Sequence, residues 1–247
     1  MNFGLKCLKE FVDGVLNGRD VEEIRESIIR EAKSHAFDLT LATKVTNEVR
    51  DALLRLGYRV IDVTARVDYK ALTGLSQGVF HLIFEVGLNY DEVLDVPYIP
   101  GPTIKGILRS RLYSLTGDDG KEVFGDRNHE GHVFVSDAYP VGGNGVRLLA
   151  GDIVNPHYYR GGKPVETEYE VQPIPVKHLS VGKGARFRFV IGVDREAKVN
   201  DRVRGKLNVS DAVELVSLLL VYSIRTGLGA RSTKGYGVFE VERIEVV

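Results

Sequence analysis

The stretch "YRVIDVTARVDYKAL", residues 58–72, is where the texture of this sequence changes. Val60, Asp62, Thr64 and Arg66 alternate with Ile61, Val63, Ala65 and Val67. Successive strand side chains point to opposite faces, so this period of two predicts a strand with one apolar and one polar face. What precedes it reads as helix. "LKCLKEFVDGVL" sets Leu5, Leu8 and Val12 on one helical face, and "DVEEIRESIIREAKSHA" does the same with Ile24, Ile28 and Ile29 behind Asp20 as N-cap. A third helix is predicted in "TLATKVTNEVRDALLRLG", closed by Gly57 as its C-terminal cap.

Beyond residue 72, further strands are predicted in "HVFVSDAYPV", "ARFRFVIGVD" and "YGVFEVERIEVV". Helices are predicted in "PTIKGILRSRLYSL" and "SDAVELVSLLLVYSIRT", the latter with Ser210 as N-cap and an apolar middle expected to be buried. The stretches 68–102 and 140–180, interrupted by glycine and proline, read as extended hairpins or loops. Their apolar residues (Leu72, Leu75, Val79, Leu82; Leu148, Leu149, Ile153) are many for solvated loops, so they are expected to pack on partners. From Tyr58 onward the order is strand, helix, strands, helix, strand. That order is compatible with an α+β, ferredoxin-like (RNA-recognition-type) sandwich with long insertions. The expected organisation is an N-terminal helical segment, 1–57, packed on a core domain, 58–247.

Composition limits the function. The 33 basic and 34 acidic residues leave a net charge of −1, which argues against uniform coating of nucleic acid. Any anion site must be local, and three acid-free stretches could hold one: 96–117, 171–193 and 215–239. The single cysteine, Cys7, precludes an internal disulfide and a cysteine-rich zinc site, and a reducing cytoplasm is the expected compartment. The N-terminus is interrupted by Lys6, Lys9, Glu10 and Asp13, unlike a signal peptide, and no apolar run is long enough to span a membrane. Two glutamines, Gln77 and Gln172, in so charged a chain resemble thermophile usage.

Two stretches carry candidate anion chemistry. In "PYIPGPTIKGILRSRL" (97–112), Thr103 is placed to cap a helix whose first amides point outward. Lys105 and Arg109 share the flank beside the buried stripe, and Gly106 leaves room for close approach. The alternative is a well-capped structural helix with solvated bases. In "GLGARSTKGYG" (227–237), Gly227, Gly229 and Gly235 permit positive φ, while Arg231, Ser232, Thr233 and Lys234 supply donors for a phosphate. Neither a Walker A order nor a dinucleotide fingerprint is present. "KGYGVFEV" matches the first four positions of an RNA-recognition pattern and loses its later aromatics. A plain glycine-rich turn before an edge strand is the competing reading.

Together these stretches resemble a known family. "IPGPTIKGILRSRL" resembles the IPGSS-x-KG-x-x-R signature of the RAMP proteins of type III CRISPR effector complexes, and "GLGARSTKGYG" resembles their C-terminal glycine-rich loop. "VFVSDAYPV", "LLAGDIVNPHYY" and "PIPVKHLSVGKGARFRFVIG" are similar to blocks of the sixth-subunit family of the Cmr (type III-B) complex. Pro102 and Thr103 replace two serines, and His178 stands where an aromatic is usual. The resemblance implies a ferredoxin-like RAMP core, no cofactor, and a non-catalytic, RNA-binding place in a crRNA-guided, RNA-targeting antiviral ribonucleoprotein. It implies a position capping the filament near the 3′ part of the guide. The implied partners are crRNA, target RNA, the backbone and capping RAMP subunits and the small helical subunit, with no membrane. The alternative is a metal-independent endoribonuclease that processes guide RNA on a related fold.

Such an enzyme would need an acid or base, commonly histidine. His129 and His132, near Asp126 and Asp137, fit no standard zinc spacing and read as a polar loop entering a strand. His157, in "NPHYY", reads as a structural hydrogen-bonding residue, and His35 and His81 are isolated.

Overall fold

The computed structural model describes residues 2–74, 78–154, 159–160, 163–164 and 175–247. In chain order the elements are α1 (Phe3–Leu16), α2 (Val21–Ser34), β1 (Phe37–Asp38), α3 (Thr40–Arg55), β2 (Arg59–Val67), α4 (Val79–Ile83), β3 (Tyr90–Asp91), β4 (Val96–Pro97) and α5 (Gly101–Thr116). There follow α6 (Lys121–Phe124), β5 (Val133–Val135), β6 (Tyr139–Pro140), β7 (Asn144–Val146), β8 (Leu149–Val154), β9 (Tyr159–Arg160), β10 (Lys163–Pro164), β11 (Val176–Val181), β12 (Arg186–Val193), α7 (Asp201–Leu207), α8 (Ala212–Thr226) and β13 (Phe239–Val246). The histidine of the "NPHYY" block, His157, lies outside the described residues.

The main sheet runs β13-β2-β12-β5, with β6 continuing alongside β12, and every pair is antiparallel. Counted along the chain, the fourth core strand lies beside the first, then the third, then the second, and the two crossovers carry α5 and α8. This is the ferredoxin-like arrangement. Ile61, Val63, Ala65 and Val67 of β2 and Phe187, Phe189 and Ile191 of β12 form the inner face. They are buried against Ile104, Leu108 and Leu112 of α5 and Leu215, Leu219 and Ile224 of α8. The helical period of α5 and the period of two in β2 meet in one core.

The outer face is covered in part as well. Helix α3 lies on β2 and β12, where Leu53 packs with Val60 and Val190. Beside that contact Asp62, 4% exposed, takes Arg188 in a two-point ion pair, Nε to Oδ1 at 2.8 Å and NH2 to Oδ2 at 2.6 Å. Arg50 of α3 approaches the same carboxylate at 3.2 Å, and Asn47 accepts from Arg188 at 2.6 Å. Helices α1 and α2 add Phe3, Cys7, Ile24 and Ile28 to the main core, and α2 also covers the β8–β11 ribbon. Burial with Glu31 and Glu10 nearby pushes the Cys7 thiol up to about 12, so it stays protonated and inert at neutral pH. Among the described residues no single helix is long and apolar enough to cross a membrane.

Asp20 caps α2 as its position predicts, accepting from the amides of Glu22 and Glu23, and Gly57 takes a φ of 85° just past α3. Three expectations change. Helix α8 is capped by Asp211, not Ser210: Asp211 accepts the Glu214 amide at 2.8 Å, and the Glu214 carboxylate turns back to Ser210 at 2.7 Å, a reciprocal box that moves the start one residue on. The apolar middle of α8 is not wholly buried, because the helix packs on the sheet and α5 from one side and leaves Leu218, Val221 and Tyr222 outward. The apolar residues of the two long connections mostly fill this chain's own core: Leu72, Val79, Leu148 and Leu149 are buried, as are Phe80, Ile83, Phe84 and Leu88 nearby. Leu82 and Ile153 are exposed, and Leu75 lies outside the described residues.

Helix α4 is thus core. Phe80→Ala is expected to cost about 3–5 kcal/mol in urea denaturation, whereas Leu82→Ala, two residues on, changes stability by no more than about 0.5 kcal/mol. Equal effects at the two positions would contradict the burial.

Candidate nucleic-acid interface

The first turn of α5 begins at Gly101, with Pro100 rather than Thr103 in the capping position. The Gly101 N–H donates to Asp137 Oδ1 at 2.7 Å, so the helix start already holds a carboxylate of this chain. Thr103 lies in the first turn instead, because a side chain at 101 would collide with the backbone of Val135 and Ser136, and only glycine lets the helix begin that close to β5. Lys105 donates to the Val133 carbonyl at 2.7 Å, and burial, reinforced by the neighbouring Arg109, holds its ammonium below its ordinary pKa. Arg109 Nε donates to the Asp119 carbonyl at 2.7 Å. Gly106 faces open space in a shallow notch of about 330 Å³ lined by Arg109, Ser110, Tyr113 and Asp119.

Acid-free in sequence is not acid-free in space. Lys177 pairs with Glu26, Arg186 with Glu242, and Arg188 with Asp62. Arg111 lies over the Tyr222 ring, 5.6 Å from its centroid. Among the described residues, the cations of the three acid-free stretches left without an ion pair, a side-chain hydrogen bond or a ring contact are Lys183, Arg225, Arg231 and Lys234. Three of these four belong to the glycine loop or the helical turn that enters it.

That loop links α8 to β13 and is built on backbone contacts. The Leu228 N–H donates to Gly237 O, the Gly237 N–H to Lys70 O, and the Ala230 N–H to Leu72 O, each at 2.8 Å. Gly237, at φ 71°, would place a Cβ 1.9 Å from the Leu228 oxygen, and Gly229, at φ 93°, would place one 2.4 Å from the Leu72 oxygen. Between them Ser232–Lys234 form a single 3-10 turn, bracketed by Arg231 and Gly235 in left-handed conformation. Thr233, Lys234 and Gly235 are exposed and Arg231 is half-buried. An exposed turn of this kind, with two cations and two hydroxyls, offers donors to a phosphate backbone without reading bases. The partial RNA-recognition pattern ends there: Phe239 turns into the core and meets Phe187 edge to face at 5.9 Å.

The loop is pinned by side chains that no sequence pattern singles out. Asp152, on β8, accepts from Tyr236 Oη at 2.5 Å and from Lys70 Nζ at 2.8 Å. Burial pushes its carboxyl up, and the bonds from Lys70, Tyr236 and the Ile153 amide outweigh that, holding it below the usual carboxylate range. Burial and the same bond raise the Tyr236 phenol and keep it a donor. His178 faces Asp152 in the strand register; it is fully buried, and burial, with Arg231 and Lys70 nearby, lowers its pKa against the pull of Asp152. Lys70, Asp152 and Tyr236 are far apart in sequence, so no local spacing could announce them; only the presence of Asp152 and Tyr236 inside the family-like blocks hinted at a role.

The two candidate blocks do not form one cluster. The start of α5 is seated on the β5–β6 edge of the sheet and the glycine loop feeds the β13 edge, with β12 and β2 between them. His129 contacts Asp126 at 3.2 Å and His132 contacts Asp194 at 3.3 Å, and the described residues hold no group of side chains able to bind a metal.

Comparison with known proteins agrees with this architecture. The family described as the RAMP superfamily matches residues 83–240. The chain belongs to the RAMP superfamily. Within that superfamily this RAMP protein is similar to the CRISPR system CMR subunit Cmr6 of Saccharolobus solfataricus (strain ATCC 35092 / DSM 1617 / JCM 11322 / P2), with 33% identity over 235 residues, 93% of this chain and 76% of the relative. It is also similar to a chain in the cryo-EM structure of the Type III-B Cmr-beta bound to cognate target RNA, with a TM-score of 0.70 and 30% identity, covering 93% of this chain and 78% of that one.

Two outcomes test the loop geometry. Gly237→Ala is expected to lose more than about 1 kcal/mol in thermal denaturation, and more than Gly235→Ala, whose added carbon meets open space. Asp152 has a depressed folded-state pKa, so its contribution is present above the unfolded value, near pH 4, and is lost as pH falls through the folded one. The stability gap between wild type and Asp152→Asn should therefore be full at neutral pH and close in acid. A gap that does not change with pH would mean the carboxylate is not what pins the loop.

Proposed function

We propose that this chain is a non-catalytic, RNA-binding subunit of a Cmr (type III-B) RNA-guided, RNA-targeting complex. On this reading it caps the filament near the 3′ part of the crRNA, beside backbone and capping RAMP subunits and the small helical subunit. The observation that carries the reading is the glycine loop. Arg231 and Lys234 stand there without an ion partner among the described residues, on an exposed turn, in a protein similar to Cmr6. A guide-binding subunit meets many sequences, so its contacts must go to the sugar–phosphate backbone, and this loop supplies such contacts. Gly227, Gly229 and Gly235 shape it, and Ser232 and Thr233 add hydroxyls. Thr103, Lys105, Gly106 and Arg109 form a second, weaker contact region, because their polar groups are partly spent within the chain. In the N-terminal segment, 1–57, packed on the 58–247 core, α3 covers the centre of the sheet face that RNA-recognition domains leave open.

The non-catalytic reading is supported by how the described acids and histidines are used. Asp91 accepts from Tyr139 Oη and from the amides of Val93 and Leu94, and His35 stacks on Phe3. Neither pairs a base with a nucleophile.

If Arg231 and Lys234 bind phosphates, replacing both with alanine weakens guide binding equally across unrelated sequences. It also lowers the slope of log affinity against log salt by about 0.7 for each phosphate no longer neutralised. An unchanged slope removes the loop from the interface. Alanine at Asp68, His81 or Asp91 is expected to leave target cleavage by the reconstituted, guide-loaded complex within a few fold of wild type. Removing a general acid or base costs about 100-fold or more, so a drop of that size would move the residue into a cleavage site and favour the ribonuclease reading.

A further inference from the structure

The glycine loop has a neighbour on its inner side. Residues 67–72 continue past the end of β2 as a ribbon gripped along both edges. On one edge the ribbon meets the turn between β11 and β12: the Gly184 N–H donates to Val67 O at 2.9 Å, and Ala71 and Val181 exchange two bonds at 2.8 and 3.0 Å. On the other edge it meets the glycine loop, through Gly237 to Lys70 and Ala230 to Leu72, while the Asp68 N–H donates to Val238 O at 3.0 Å. Each flanking turn carries cations without an ion partner among the described residues: Lys183 on one side, Arg231 and Lys234 on the other.

Tyr69 stands on this ribbon with 63% of its surface exposed. The Lys70 ammonium lies 5.2 Å from its ring centroid and is itself fixed by Asp152, whose other oxygen accepts from Tyr236. An exposed aromatic gains nothing from burial in this fold, and its hydroxyl has no hydrogen-bond partner among the described residues. What the position offers is an exposed ring on a ribbon whose two flanking turns carry cations, the combination by which proteins hold single-stranded nucleic acid without reading sequence.

We propose that Tyr69 is a stacking platform for one nucleobase of the bound RNA, and that Lys183 binds a phosphate on the side of the ribbon opposite the glycine loop. This rests on the proposed RNA-binding role of the loop and extends it from phosphates to a base. The strand would cross the ribbon, with phosphates on Arg231 and Lys234, a base on Tyr69, and the next phosphate toward Lys183. Asp68 is the one carboxylate on the ribbon and opposes that path.

The test titrates the full-length protein, alone and in the assembled complex, with short single-stranded RNA carrying a fluorescent adenine analogue. Tyr69→Ala is expected to weaken binding about 5- to 150-fold and to restore the fluorescence that stacking quenches, with an unchanged salt slope because the ring neutralises no phosphate. Tyr69→Phe keeps the ring and should bind like wild type. Lys183→Ala should lower the salt slope by about 0.7, and Asp68→Asn should strengthen binding. Thermal denaturation of each variant checks that the fold is intact. Unchanged affinity in Tyr69→Ala, or a Tyr69→Phe as weak as Tyr69→Ala, overturns the stacking platform, and an unchanged slope in Lys183→Ala overturns its phosphate-binding role. If the alanine pair at Arg231 and Lys234 still lowers the slope, the loop reading survives that failure. Absence of RNA binding by wild type, alone and in the complex, overturns both.

Discussion

Asp62 sits in the middle of the first core strand at 4% exposure, so the water it loses there must be replaced by partners within the protein. Arg188 meets it with two parallel bonds from the adjacent strand, and Arg50 meets it from α3. One carboxylate shared by two guanidiniums therefore joins β2, β12 and α3. Removing Asp62 would leave Arg188 and Arg50 facing each other without their shared carboxylate, which costs more than the pair itself contributes. The consequence reaches function. With α3 seated on β2 and β12, the centre of the outer face of the sheet is not open as it is in RNA-recognition domains, and on the proposed reading RNA meets the loops at the end of the sheet instead.

The distribution of charge follows the same logic. Lysine and arginine are as numerous as aspartate and glutamate to within one residue, and folding brings half of the bases in the acid-free stretches to carboxylates or carbonyls elsewhere in the chain. What survives is a small set of uncommitted cations around one ribbon and two turns. A chain with almost no net charge can thereby still offer a local cluster of cations.

Backbone geometry makes that surface rigid. Gly229 and Gly237 allow the loop to lie within hydrogen-bonding distance of residues 70–72, and Asp152 locks it from the side through Tyr236 and Lys70. A loop held in this way presents its amides, hydroxyls and cations in one arrangement, so binding need not first order it. Membership in the RAMP superfamily is consistent with such a loop at the end of α8.

The sequence by itself determined the strand alternation of residues 59–67, the helices before it, the cap at Asp20, the order of core elements and the existence of two glycine-containing blocks. Each of these is a local property, a period or a turn residue, readable within a few positions. It also carried the family resemblance, because motif spacing is written along the chain. Only the tertiary structure decided which bases are free. Lys105 and Arg109 looked available and are tied to the carbonyls of Val133 and Asp119, the start of α5 looked open and is held by Asp137, and the apolar residues of 68–102 looked poised for partners while Leu72 and Val79 among them are core. Tyr69 and Lys70 had no local signature at all, and nothing local tied Asp152 to the loop. Pairing of charges and burial of apolar side chains depend on contacts between residues distant in sequence, and those contacts exist only once the strands and helices have packed.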